Sequence, residues 1–395
     1  MAVSIKDIVA VVRAAAIESA DYQQRFAAED VEARKIVDVM EAFLRKKARI
    51  VYGGAAINAH LPPAKQFYDP TLYLPDYDFL TPDPLQDCAE LIVAFHQEGF
   101  DDVEAKFGIH EGTYKVFVNF RAAADITYMP PDIYSRVNRD AFTQNGIQYA
   151  NADFLRMNIF VELSRPRGNT ERWAKVYERL LLLNEAHPIK TGRCSKTKSG
   201  HGVDRPHSRI INVGIEAGAI FLGEPEEEPI LLMSDKAEDI VRKLGWLTPV
   251  KHDAIGELVP ARTEFRNKQG ILLVVVFNTV ACHSYTIHPD KDDYRLGSLE
   301  LLIEMYYAFY FTDLTEYKQG RLLCVVRDLL DREYAHMVDA VKKRAPPHDV
   351  LPIADCVGYQ PTLPELKKAH RQRVREKQRE LMDALMIKGS GSKRK

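Results

Sequence analysis

Asp76 and Asp78 stand two residues apart in the stretch Leu74-Pro75-Asp76-Tyr77-Asp78-Phe79. On an extended strand, residues two apart point to the same face. The two carboxylates therefore converge, while Tyr77 and Phe79 turn the other way, into a core. Carboxylates held together repel unless a cation or a proton sits between them. An all-oxygen set of this kind suits Mg²⁺, which takes one or two carboxylates together with the phosphates of a substrate. Upstream lies Val51-Tyr52-Gly53-Gly54-Ala55-Ala56-Ile57-Asn58, which reads as a strand end, a double-glycine turn and a helix start. Glycine lets a backbone come close to a ligand, and a helix start offers free N–H groups to phosphate. A third carboxylate, Asp125, follows three alanines and precedes Ile126. It is costly to bury unpaired, and a nearby cation accounts for it. Two-metal phosphoryl transfer needs a bridging pair and a third carboxylate on the nucleophile side. Asp76, Asp78 and Asp125 supply that set.

The elements that must position these groups follow from periodicity and turn chemistry. Helices are expected over 5–18 and 29–48, the second from Val31, Ile36, Val37, Met40, Phe43 and Leu44 at helical spacing. A strand over 49–52 runs into the glycines, and a helix starts at 55–59. The proline-containing stretch 60–74 is a long loop of the kind often used functionally. Strands are expected over 76–80, 100–107, 113–120 and 123–128, with a helix over 85–97 between the first two. This order implies a mixed α/β sheet rather than a doubly wound parallel one. Residues 151–185 read as helical, with Asp153 and Thr170 as helix caps. Further on, 210–214 reads as a strand, 236–244 as a helix, 270–278 as a buried strand, and 298–311 and 321–341 as helices. This second α/β unit repeats neither the glycine pair nor the paired carboxylates, so any duplication is one of fold and not of chemistry.

Composition sets the limits. A length of 395 residues predicts two or three domains, and a formal net charge of −2 gives no global argument for nucleic acid. Basic charge is local. Residues 190–209 carry six Lys or Arg against one acid, and 367–395 carry eleven against three. The first is expected to be a flexible basic loop at a domain boundary. The second is expected to be a partly helical tail whose last seven residues are disordered. The expected organisation is a catalytic domain over 1–189, a linker over 190–209, a second domain over 210–365 and a tail over 366–395. The five cysteines, Cys88, Cys194, Cys282, Cys324 and Cys356, are scattered, odd in number and form no CxxC pair. That argues against a zinc site and a disulfide framework, and for a reducing, intracellular compartment. No signal peptide and no membrane-length apolar run are read.

Each part alone has a plainer explanation. A single Asp-x-Asp is usually a turn, a double glycine a tight bend, and a lone strand aspartate a cap or an arginine partner. Trp173, Tyr177 and the Cys282-His283 pair read as core. The ordered combination of glycines, paired aspartates and strand aspartate is what carries specificity.

That order resembles the nucleotidyltransferase superfamily of the DNA polymerase beta type. More narrowly, the chain resembles the catalytic subunit of poly(A) polymerase from large nucleocytoplasmic DNA viruses, the poxvirus and mimivirus kind. The supporting stretches lie at 52–58, 74–79, 124–128, 153–158, 162–169, 172–180, 281–285 and 296–300. The resemblance implies an α/β (α+β) nucleotidyltransferase sheet followed by a second, degenerate nucleotidyltransferase-like domain. It implies template-independent addition of adenylate from ATP to an RNA 3′ end, with Mg²⁺ or Mn²⁺ held by Asp76, Asp78 and Asp125. Gly53, Gly54 and Asn58 are expected to bind the nucleotide. Many superfamily members carry a hydroxyl residue after the glycines, where Ala55 and Ala56 stand here, so backbone amides and a cation, Lys115 or Arg156, are expected to take its place. Lys190, Arg193, Lys196, Lys198, Lys367, Lys368 and Arg371 are the expected RNA contacts. The family also implies a homodimer or a methyltransferase-like processivity partner, and action in the virion or host cytoplasm. Alternatives are a uridylyl or CCA-type transferase, or an inactive RNA-binding subunit.

Overall fold

The computed structural model describes residues 5–68, 75, 77–189, 194, 205–224, 229–279, 281–288, 291–317, 322–351 and 355–391. Asp76, Lys190, Arg193, Lys196 and Lys198 lie outside the described residues. The chain divides into two compact units, the first taking 1–134, 138–150 and 363–395, the second 135–137 and 151–362. The division at 150/151 differs from the boundary expected within 190–209, and the basic tail belongs to the first unit.

The first unit begins with α1 (Ile5–Glu29) and α2 (Val31–Lys47), then β1 (Ile50–Tyr52), α3 (Gly53–His60), β2 (Tyr77–Thr81) and α4 (Pro84–Gln97). It continues with β3 (Val103–Phe107), β4 (Thr113–Val118), β5 (Arg121–Tyr128), α5 (Pro131–Arg139), β6 (Phe142–Gln144) and β7 (Ile147–Tyr149). α2 starts where the Asp30 side chain accepts from the amides of Glu32 and Ala33 and ends at Ala48 in the left-handed region, with Arg45, Lys46 and Lys47 in its last turn. Its buried stripe, Ile36, Met40, Phe43 and Leu44, packs on the sheet, with the Phe43 and Phe79 rings 5.9 Å apart. The β6–β7 hairpin turns on Asn145-Gly146, both with positive φ (51° and 78°), the pair that a two-residue hairpin favours. The sheet order is β3-β4-β5-β2-β1-β7-β6, with β2 parallel to β5 and antiparallel to β1.

The second unit comprises α6 (Ala152–Leu163), α7 (Trp173–Ala186), α8 (Arg205–Glu216), β8 (Ile220–Phe221), β9 (Ile230–Ser234) and α9 (Ala237–Lys243). After these come β10 (Thr248–His252), β11 (Arg262–Arg266), β12 (Leu272–Asn278), β13 (His283–His288), β14 (Lys291–Gly297), α10 (Leu299–Thr312), α11 (Leu322–Lys343) and β15 (Cys356–Val357). Three expectations are corrected. Residues 210–214 are helical, inside α8, because Ile210 and Val213 form one buried helical face rather than a strand. Asn151, not Asp153, caps α6, its side chain accepting from the Phe154 amide, and no side chain caps α7. Cys194 pairs with Cys324 and Cys282 with Cys356, with Cα separations of 5.8 and 5.2 Å, while buried Cys88 stays free. The partners are 130 and 74 residues apart, beyond what local spacing reveals, so cysteine usage no longer argues for a reducing compartment. Among the described residues no helix is long and apolar enough to cross a membrane.

The second sheet repeats the first. Its order is β10-β11-β12-β9-β8-β14-β13-β15, and the strand directions match those of the first sheet pair by pair, with β15 added at the edge. Matching the first paired residues of the two parallel ladders, Tyr77 with Ala124 and Ile230 with Val274, puts Leu231 where Asp78 stands and Val275 where Asp125 stands. Both are buried. The duplication is of fold, without the carboxylates.

Burial also loads this unit with carboxyls. The stretches at 162–169, 281–285 and 296–300 meet where Ser164 Oγ donates to Glu304 Oε2 (2.5 Å), the Ser284 amide donates to Ser164 O (3.0 Å) and the Ser284 and Ser298 hydroxyls touch (2.7 Å). On α11, burial pushes the Glu333 carboxyl up to about 7, against the opposing hydrogen bond from Tyr177 OH (2.8 Å) and with help from Glu300. A raised folded pKa means stability is complete below the unfolded value and is lost as pH rises toward and through 7. Glu333→Gln should remove this slope, leaving a variant more stable than wild type at pH 8 by roughly 2–3 kcal/mol. Melting temperatures between pH 5 and 8.5 check it; parallel curves for the two proteins would refute it.

The helix α12 (Leu363–Gly391) completes the first unit. His370 Nε2 meets the Phe107 carbonyl at 2.9 Å, and Arg373 donates to the Ile109 carbonyl at 2.7 Å, so the helix rests on the β3–β4 turn. It extends through Gly391, into the stretch expected to be disordered.

Candidate active site

Strand pairing sets the site. Lys106 on β3 faces Lys115 on β4, Lys115 faces Asp125 on β5, Asp125 faces Asp78 on β2, and Asp78 faces Tyr52 on β1. Directly paired residues share a face of a sheet. The five side chains therefore form one row across the sheet, cations at the β3 edge and carboxylates in the middle. The residues flanking Asp78 in β2 behave as alternation requires. Tyr77 and Phe79 are buried on the opposite face, and the Tyr77 hydroxyl donates to Glu41 (2.8 Å), with burial first and Glu41 second pushing its phenol well above the usual range.

The row is electrostatically paired. The Lys115 ammonium forms an ion pair and hydrogen bond with Asp125 Oδ2, with the two side chains 39% and 24% exposed. Asp125 thus gathers positive charge to itself. Tyr52 Oη and Thr127 Oγ1 lie 2.9 Å apart, fixing the ring beside the carboxylates. Among the described residues no three His, Cys, Asp or Glu side chains cluster as a metal site. The expected trio includes Asp76, which lies outside them.

Gly53 does more than shorten a turn. Its φ is +71°, in the region L-residues avoid, and a Cβ built there would lie 2.7 Å from Asp78 Oδ2. The absent side chain leaves the space that the Asp78 carboxylate fills. Immediately afterwards α3 begins, with Tyr52 as its N-cap, whose own side chain makes no capping hydrogen bond. Those amides face the start of the helix with partial positive charge, the arrangement that favours phosphate.

Two residues expected to bind the nucleotide make structural hydrogen bonds. Asn58 accepts from the amides of Phe67 (2.9 Å) and Tyr68 (3.0 Å) and donates to the Tyr68 carbonyl (3.0 Å), so it ties down the loop after α3. Arg156 is 1% exposed in the second unit, donating to Asn184 Oδ1 and Asp153 Oδ1 (2.7 Å each) and to the His187 carbonyl. A guanidinium so enclosed locks α6 to α7. Gly53, Asp78, Asp125 and Lys115 are brought together. Lys367, Lys368 and Arg371 are exposed on α12, where Arg375 and Arg379 continue the row at four-residue spacing. Lys106 and Tyr52 were missed by the sequence reading; only strand register reveals them.

Comparison with known proteins agrees with the fold and the motifs. Residues 38–169 match the family described as poly(A) polymerase catalytic subunit. A mimivirus protein (Acanthamoeba polyphaga mimivirus) provisionally named as that subunit is 32% identical over 163 residues, 40% of this chain and 27% of its own length. An African swine fever virus protein of the same name (isolate Tick/South Africa/Pretoriuskop Pr4/1996) is 27% identical over 204 residues, 50% of this chain and 42% of its own. The matches thus span less than half of these curated relatives. The crystal structure of the Megavirus polyadenylate synthase superposes with a TM-score of 0.75 at 19% identity, covering 96% of this chain and 84% of that one. The resemblance read from the motifs is borne out, and so is a mixed α/β fold of this type.

Proposed function

We propose that this chain is a template-independent polynucleotide adenylyltransferase, adding AMP from ATP to RNA 3′ ends. The observation that carries the reading is the direct pairing of Asp78 with Asp125 across β2 and β5, beside a helix start whose glycine makes room for Asp78. The family match and the viral relatives support it.

The residues fit divalent metal. Asp125 already draws the Lys115 ammonium, and the paired oxygens are the hard donors Mg²⁺ or Mn²⁺ prefer. Asp76, Asp78 and Asp125 would hold the metal, which supplies charge neutralisation and lowers the pKa of the attacking hydroxyl. The chain's own groups do the rest. The α3 amides and Gly54 receive phosphate oxygens. Asp125 orients the RNA 3′-hydroxyl, whose oxygen bonds the α-phosphorus as the bond to the β-phosphate oxygen breaks and pyrophosphate leaves. Lys115, exchanged off Asp125, offsets charge on the triphosphate. The exposed lysines and arginines of α12, with the basic stretch 190–209, attract the RNA backbone in a salt-dependent manner.

The test is extension of a short labelled RNA by each NTP separately, with Mg²⁺ or Mn²⁺. A ladder with ATP alone is expected. A ladder with UTP or CTP would replace this reading with a uridylyl or CCA-type transferase. RNA binding without consumption of any NTP would make the chain an inactive RNA-binding subunit. By the same resemblance the working form is a homodimer or carries a methyltransferase-like processivity partner, distinguishable by light scattering, and acts in the virion or host cytoplasm.

A further inference from the structure

The β4–β5 hairpin turns on Asn119-Phe120, both in the left-handed region (φ 47° and 64°). Such turns favour glycine at the second position, as the β6–β7 turn of the same sheet has with Asn145-Gly146. A bulky residue there is strained, and strain of this kind points to function where the surroundings maintain it. Phe120 is also 85% exposed, so burial does not compensate. Neither backbone preference nor packing selects a phenylalanine here.

Its place in the fold gives the ring a use. β5 runs parallel to β2, so its start lies at the same end of the sheet as the start of β2 and the Gly53 turn that ends β1. Asp125 is five residues further along, about 16 Å at the usual strand rise. Between them, on the face of Lys115, lies half-buried Phe117, paired with Ala122. The Lys106 ammonium, ion-paired with Glu104, stands 5.2 Å from the centre of the Phe117 ring. Lys106 in turn faces Lys115, which holds Asp125. Taken from the hairpin tip along the strands, Phe120 is followed by Phe117 with Lys106 beside it, then by Lys115 and Asp125. Aromatic faces beside cations that track a phosphate backbone are what unpaired, single-stranded nucleic acid recognises.

We propose that Phe120, with Phe117 and Lys106 behind it, is a stacking platform for an unpaired base of a single-stranded polynucleotide, a few nucleotides upstream of the end presented to Asp125. The inference rests on the polymerase reading above and adds the residue that grips the primer. Phe120 is a binding residue, and the backbone strain it imposes is retained for that contact.

The test combines affinity and stability. Fluorescence anisotropy with a labelled single-stranded RNA of fifteen or so nucleotides should show about tenfold weaker binding for Phe120→Gly. The dependence of affinity on salt should be unchanged, since no charge is removed, whereas Lys106→Ala should make that dependence shallower. The same Phe120→Gly variant should melt at a higher temperature than wild type. Phe120→Asn, which tolerates the left-handed backbone but lacks a ring, should bind as weakly as the glycine variant, and Phe120→Trp should restore affinity. A wild-type chain that binds and extends RNA while both ringless variants bind equally well overturns the platform alone. A wild-type chain that binds no single-stranded RNA overturns the platform and the polymerase reading together.

Discussion

On the proposed reading, Asp125→Ala is expected to abolish adenylate addition to RNA and largely to spare ATP binding. Asp125 faces Asp78 directly and is the carboxylate that holds the Lys115 ammonium. On the proposed reading, removing it takes away the group on the nucleophile side, while the α3 amides proposed to receive phosphate stay in place. Loss of a carboxylate proposed to hold the metal should raise the barrier by several kcal/mol, a rate loss of roughly a thousandfold or more. The released Lys115 ammonium stays in the same row and keeps its attraction for phosphate, so the ATP dissociation constant should change little. Single-turnover extension of a labelled RNA gives the rate, and equilibrium binding of a fluorescent ATP analogue gives the affinity. A variant that extends RNA at the wild-type rate would remove Asp125 from the chemistry.

Gly53→Ala is expected to damage activity far more than stability. A left-handed backbone costs an ordinary residue about 1–2 kcal/mol. The new methyl would also meet Asp78 Oδ2 at 2.7 Å, a contact relieved only by moving that carboxylate. A displacement of about 1 Å in a reacting group can cost a hundredfold in rate. Gly99→Ala is the matched control. Gly99 has a similar backbone (φ +86°), and a Cβ there meets nothing within 4 Å. The two variants should lose similar melting temperature, and only Gly53→Ala should lose extension activity. If they lose activity equally, crowding of Asp78 is not the reason for the glycine.

What could be read from the sequence, and what could not, divides along a physical line. Alternation along a strand is local, so the orientation of Asp78 against Tyr77 and Phe79 was legible. So was the glycine turn into a helix, though its reason was not: the close approach of Gly53 to Asp78 joins the start of α3 to β2. Register between strands is a property of the assembled sheet, which is why Lys106, Lys115 and Asp125 could not be aligned beforehand. Short apolar runs are ambiguous between helix and strand, and Ile210-Ile211-Asn212-Val213 resolved as a helix. The Asn145-Gly146 hairpin carries its signal openly in the sequence. Asn58 and Arg156 show the opposite limit. Both are polar residues inside motifs of the family, and only their hydrogen bonds reveal that one braces a loop and the other a helix pair. The sulfur pairs depend wholly on the second unit's topology.

The return of α12 to the first unit has a consequence for how the molecule is made. A ribosome delivers β1 to β7 first, then all of residues 151–362, and only afterwards the helix whose His370 and Arg373 bind the β3–β4 turn. At ordinary rates of elongation the wait is roughly 10–40 s. Through that interval the nascent sheet holds its carboxylates while the carbonyls of Phe107 and Ile109 still lack their partners. The strands that carry the paired carboxylates are synthesised early, and the unit that contains them is the last to close.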